Sequence, residues 1–103
     1  MSIYSLTNKK NQYVQVKNKV NDVAYQLNES IKKLDEIINL QKTAYKIEDQ
    51  NNVNNFLTEL KNTETTIYNT INNTVIPNIN YNINRLNNAI EDARLEESMK
   101  EKD

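Results

Sequence analysis

Lys46-Ile47-Glu48-Asp49-Gln50-Asn51-Asn52-Val53 decides the fold. Between Ile47 and Val53 lie five consecutive polar residues, Glu48 to Asn52, almost at the midpoint of the 103-residue chain. Asn and Asp side chains satisfy turn backbone and cap helices, so this is the expected hinge, with residues 47–52 as its span. On either side the apolar residues recur at intervals of three and four. Upstream they are Leu6, Tyr13, Val16, Val20, Val23, Leu27, Ile31, Leu34, Ile38 and Tyr45; downstream Val53, Phe56, Leu60, Ile67 and Ile71, then Ile76, Ile79, Ile83, Leu86, Ile90 and Ala93. That spacing is one apolar face per helix. The predicted fold is all-α, an antiparallel two-helix hairpin in one domain over 1–103, with helix one over about 3–46 and helix two over about 53–98.

From Val16 to Ile38 the apolar stripe repeats at about 3.67 residues, the period of a nearly straight helix. In the second helix the later apolar set is shifted by about one residue relative to the earlier one, and the single proline, Pro77, stands at the junction. A proline inside a helix loses one hydrogen bond and crowds the carbonyl four residues back, here Asn73, so a kink or bulge is expected near Pro77. Residues 78–84 alternate polar and apolar as a half-buried strand would, but the three-four spacing continues through Ala93 and no second strand pattern exists to pair with it. Helix is the preferred reading.

Composition removes most chemistry. The chain has no Cys, His, Trp or Gly. It therefore lacks disulfides, thiolate and imidazole ligands, the common nucleophile and base pairs, and glycine-rich phosphate loops. The adjacent acids Asp35-Glu36, Glu48-Asp49 and Glu91-Asp92 point about 100° apart on a helix and do not converge as an acid and base. No catalytic residue, cofactor, metal or small-molecule substrate is expected. Net charge is −1, without the clustered positive excess that nucleic acid needs. No apolar run approaches a membrane span and the start has no continuous apolar segment, so a cytoplasmic location is expected, with any export by a route that reads no signal peptide.

Charge is unevenly divided. Residues 1–46 carry eight Lys against four acids and residues 47–103 ten acids against five bases. Folding near residue 50 would bring partners whose numbers sum to roughly 100 together, setting Lys9 to Lys19 beside the acidic end with Glu91, Asp92, Glu96 and Glu97. Twenty asparagines complete the picture. Most are expected to fill surface positions.

Several apolar residues leave the main stripes: Tyr4, Val14, Tyr25, Ile37, Leu40 and Ile47 on the first helix, and Leu57, Tyr68, Val75 and Tyr81 on the second. A two-helix hairpin has a single seam, and the apolar surface it buries does not clearly offset the ordering of so long a chain. These off-stripe residues are the candidate protein interface, completing a helical assembly with another protein or with further copies of the chain.

Two long antiparallel helices around a central polar bend, in about a hundred residues without a leader, resemble the W-x-G helical hairpin proteins of bacterial type VII secretion. The chain is similar above all to the small helical partners of LXG toxins. It departs from them in having neither Trp nor Gly, so that Glu48 to Asn52 must make the turn. The family's Tyr-x-x-x-Asp/Glu export motif has literal matches at Tyr25 to Glu29 and Tyr45 to Asp49, both ahead of the second helix instead of after it. The resemblance implies a non-catalytic partner or chaperone that binds the helical targeting region of a larger secreted protein. The alternative is a homo-oligomeric structural coiled-coil or bundle subunit.

Overall fold

The first helix starts where Ser2 can cap it. Ser5 N–H donates to Ser2 Oγ at 3.1 Å, which satisfies one otherwise orphaned donor of the first turn, and Leu6 N–H donates to the Ser2 carbonyl at 3.0 Å as the first bond of the helix. With no glycine or proline to interrupt it, α1 then runs over Ile3–Ala44. The computed structural model describes residues 2–44 and 51–102. After the hinge α2 spans Asn51–Thr70, a π-helical turn Ile71–Val75, and α3 Ile76–Lys102. Asn51 and Asn52, expected in the hinge, belong to the first turn of α2, while Ile47, Glu48, Asp49 and Gln50 lie outside the described residues. Residues 78–84 are helical, and among the described residues there is no strand. The molecule measures 83 × 15 × 15 Å, a rod two helices wide.

The two arms are antiparallel. Ser30 Oγ donates to Glu64 Oε1 at 3.0 Å and Lys61 Nζ to Asp35 Oδ1 at 2.7 Å, while Val20 and Val75 line one groove and Leu6 and Ala89 another. Partners across the seam therefore have numbers adding to about 95, not 100. The offset carries Glu96 and Glu97 past the start of α1, so the charge match expected for them does not form. Lys9 lies against Arg85 and Leu86 instead, and Lys10 near Glu91 and Arg94. Among the described residues the cross-helix ion pair is Lys61 with Asp35; both are partly exposed, and such a pair is worth about 0.2–1 kcal/mol.

Which residues fill the seam differs from the apolar reading. The covered line of α1 is Ile3, Leu6, Lys10, Tyr13, Lys17, Val20, Ala24, Leu27, Ile31, Leu34, Ile38 and Gln41, in which every member but Tyr13 is buried or half-buried and Tyr13 is at the margin at 37% exposed. Its steps alternate three and four, giving the 3.5-residue period of a coiled coil in place of the expected 3.67. Lys10 and Lys17 belong to this line because their aliphatic stems can lie along apolar surface while the ammonium reaches water. On α2 the line is Asn54, Leu57, Lys61, Glu64, Tyr68 and Ile71; on α3 it is Ile76, Ile79, Ile83, Leu86, Ile90 and Ala93.

These last two lines are out of phase by one residue. The π turn inserts that residue: the Ile76 N–H donates to the Ile71 carbonyl five positions back, widening the helix just ahead of Pro77. In a regular α-helix the proline ring would crowd the Asn73 carbonyl, and Asn73 lies inside the widened turn. The expected kink is therefore a π turn. Deleting Asn73 together with Pro77→Ala merges the two lines into one continuous heptad pattern. Thermal unfolding followed by circular dichroism is expected to show full helicity and a gain of roughly 1–3 kcal/mol from removing an interior proline; loss of the cooperative transition would contradict the inserted-residue account.

Candidate protein-docking face

A helix whose a and d positions meet its partner presents e and b on one side of the seam and g and c on the other. In an antiparallel pair the two g positions fall on the same side. Taking Ile3 and Leu6 as a and d, the α1 residues Val16, Val23 and Ile37 are g and Leu40 is c. Taking Asn54 and Leu57 as a and d, the α2 residues Val53, Leu60 and Ile67 are g and Phe56 is c. All eight are exposed: Val16 and Val23 at 49%, Phe56 at 63% and Leu40 at 66%, beside Ala24 at 6%. One broad side of the rod is therefore mostly apolar, at eight of its thirteen g and c positions from Val16 to Leu40 on α1 and from Val53 to Ile67 on α2; Lys19, Gln26, Ser30, Lys33 and Thr63 interrupt it.

The opposite side is polar. Its e and b positions hold Asn11, Asn18, Asn21, Asn28 and Asn39 on α1, Asn55, Asn62 and Asn69 on α2, and Asn72 in the π turn. Asparagine is a weak helix former, and α2 is also rich in threonine, whose hydroxyls turn back on the helix: Thr65 Oγ1 donates to the Lys61 carbonyl at 2.7 Å and Thr66 Oγ1 to the Asn62 carbonyl at 3.0 Å. The hairpin as a body is amphipathic.

The candidate interface residues divide between these surfaces. Ile37 and Leu40 belong to the apolar face. Tyr4 and Tyr25 are exposed on the polar side, and Tyr81 is exposed on the outer edge of α3, where the Arg85 guanidinium stands 5.8 Å from its ring centroid. Leu57 and Tyr68 are half-buried in the seam, Val75 is half-buried in the π turn beside it, and Val14 is half-buried along its other margin, so these four are packing residues of the hairpin, contrary to their placement off the stripe. The reason is phase: a line drawn through apolar residues alone passes one residue ahead of the true seam, which accepts Lys17, Ala24, Asn54 and Lys61. Val16, Val23, Val53, Phe56, Leu60 and Ile67, expected inside, lie outside for the same reason.

The seam is poorly satisfied where it is polar. Glu64 Oε2, Gln41 Oε1 and Asn54 Oδ1 are buried without a hydrogen-bond partner among the described residues, and Gln41 and Asn54 fall at the same level of the hairpin. Each such atom costs about 1–3 kcal/mol. Next to the π turn, on the apolar side, a wholly apolar groove of about 280 Å³ is lined by Val16, Lys19, Val20, Val23, Ile71 and Val75. Among the described residues no group of three acids could hold a metal ion, and no helix is long and apolar enough to cross a membrane.

No protein-family model matches the chain, and neither a curated protein nor a solved structure matches it. The face itself must carry the functional argument. Ile38→Ala, in the seam, is expected to lower stability by about 2–5 kcal/mol, whereas Phe56→Ala, on the open face, changes that of the isolated chain by less than about 0.5 kcal/mol. Chemical denaturation of both variants checks this ordering, and equal losses would place Phe56 inside.

Proposed function

We propose that the chain is a non-catalytic helical partner, or chaperone, that binds the helical targeting region of a larger secreted protein, in type VII secretion and with an LXG toxin as the kind of protein it accompanies. The observation that carries the binding role is the row of exposed apolar residues gathered on one side of the hairpin, Val16, Val23, Ile37 and Leu40 beside Val53, Phe56, Leu60 and Ile67. Surface of this kind on a monomer marks a site of association. The hairpin offers two helices side by side, so a helical segment laid along them completes a bundle by the same ridge-and-groove packing that joins α1 to α2. The secretion setting is supported by the two-helix form. Titratable side chains do not converge on this face, and its chemistry is that of covering apolar surface on another chain.

Co-expression with the N-terminal helical region of a co-encoded LXG protein, followed by size exclusion with light scattering, tests the assignment. A defined complex is expected, and Val23→Asn with Ile67→Asn is expected to abolish it while leaving the hairpin folded. A chain that ignores that region and assembles only with itself would support a homo-oligomeric bundle subunit and contradict the secretion-partner reading.

A further inference from the structure

The charges bordering the apolar face describe what covers it. At the g and c positions of the described parts of α1 and α2 the charged residues are Lys9, Lys19 and Lys33, all exposed and all basic. No acid occupies such a position there. The nearby acids Asp22, Glu29, Glu36 and Glu59 take the f position, on the outer edge of each helix, away from the face. The net charge of −1 hides this separation.

The surface has the size of a functional patch. From Val16 to Leu40 it runs roughly 36 Å along the axis. With the 15 Å width of the rod the whole side is on the order of 500 Å² in projection, polar positions included, comparable to the largest patch on an ordinary monomer, which is often functional. The groove beside the π turn, with Val16, Val20, Val23, Ile71 and Val75 in its walls, lies within this stretch and accepts a large apolar side chain. Lys19 forms part of its rim, contributing only its apolar stem to the wall.

Resting on the partner reading above, we propose that the occupant of this face is a helical segment of a different chain whose apolar stripe is flanked by carboxylates, with one bulky side chain seated in the groove beside the π turn. A second copy of this chain is the less complementary occupant. It would bring the same two lysines, Lys19 and Lys33, to the contact and no acid at the matching positions, Lys9 lying beyond the Val16 end of the face. Like charges at the border of an apolar contact weigh against association, while opposite ones steer it and set its register.

Two synthetic helical hairpins with identical Leu and Phe stripes, one flanked by Glu and one by Lys, provide the probes. In fluorescence titrations of the full chain at 50 mM salt, the Glu-flanked probe is expected to bind about tenfold more tightly, the preference shrinking toward parity at 500 mM as exposed pairs are screened. Lys19→Glu with Lys33→Glu is expected to invert the preference, with helicity unchanged by circular dichroism. Val23→Asn with Ile67→Asn is expected to weaken both probes. Equal affinity for the two probes, or no response to the lysine substitutions, would overturn the charge complementarity; if the Val23 and Ile67 substitutions still abolish binding, the docking face and the partner reading survive that failure. A stable dimer of the chain alone, dissociated by those same two substitutions, would make a second copy the occupant and overturn the proposal.

Discussion

Two long helices laid side by side share one seam, and each helix can give that seam only one stripe in seven-residue repeats. Everything else in this molecule follows from which stripe is used. α1 contributes Leu6, Ala24, Leu34 and Ile38 but also Lys10 and Lys17; α2 contributes Leu57, Tyr68 and Ile71 but also Asn54, Lys61 and Glu64. Most polar stretches of the seam meet an apolar one, the exception being the level of Gln41 and Asn54, where two polar side chains meet with buried oxygens unsatisfied among the described residues. The Lys10 and Lys17 part of α1 lies against the apolar line of α3, and the polar line of α2 lies against Leu27 to Ile38. Ser30 with Glu64 and Asp35 with Lys61 hold the register where the α2 line is polar.

Spending polar residues on the seam leaves apolar ones outside it. Val53, Phe56, Leu60 and Ile67 stand one position from the buried line of α2, and Val16, Val23 and Ile37 hold the same relation to α1. Because the helices are antiparallel, these two displaced rows come to the same side, with the asparagines opposite. The π turn limits how far this pattern extends. Beyond it the covered line of α3 is fully apolar, and the corresponding outer positions become Asn78, Asn82 and Arg85. The apolar face is thus confined to the half of the rod nearest the hinge and to the groove at the π turn.

The helical hairpin was legible in the three-four spacing, in the polar break before Val53 and in the phase shift ahead of Pro77. A one-residue phase shift without a glycine could be met by a kink or by an inserted residue, and the spacing does not separate them. The seam was not legible from apolar residues alone. A half-buried Lys17 looks the same in sequence as a solvated one, and its neighbour Val16 is the more obvious core residue. The same one-residue ambiguity hides the docking face: Ile37 and Leu40 are recognisable as off-stripe, whereas the three-four spacing places Val23, Phe56 and Ile67 on the stripe. Charge asymmetry between the halves was real, but a register of about 95 leaves Glu96 and Glu97 beyond the first lysines, with Glu91 alone of the acidic end placed near Lys10.

The central claim is that the more hydrophobic of two adjacent rows points outward. The chain has no native cysteine, so single cysteines can be placed in neighbouring pairs: Val23 and Ala24, Phe56 and Leu57, Ile67 and Tyr68. Maleimide labelling rates on the isolated, folded chain then read the orientation of each helix directly. Faster labelling at 23, 56 and 67 than at 24, 57 and 68 is the result this account predicts. The reverse order would mean that the apolar row is the seam, and the exposed docking face would not exist.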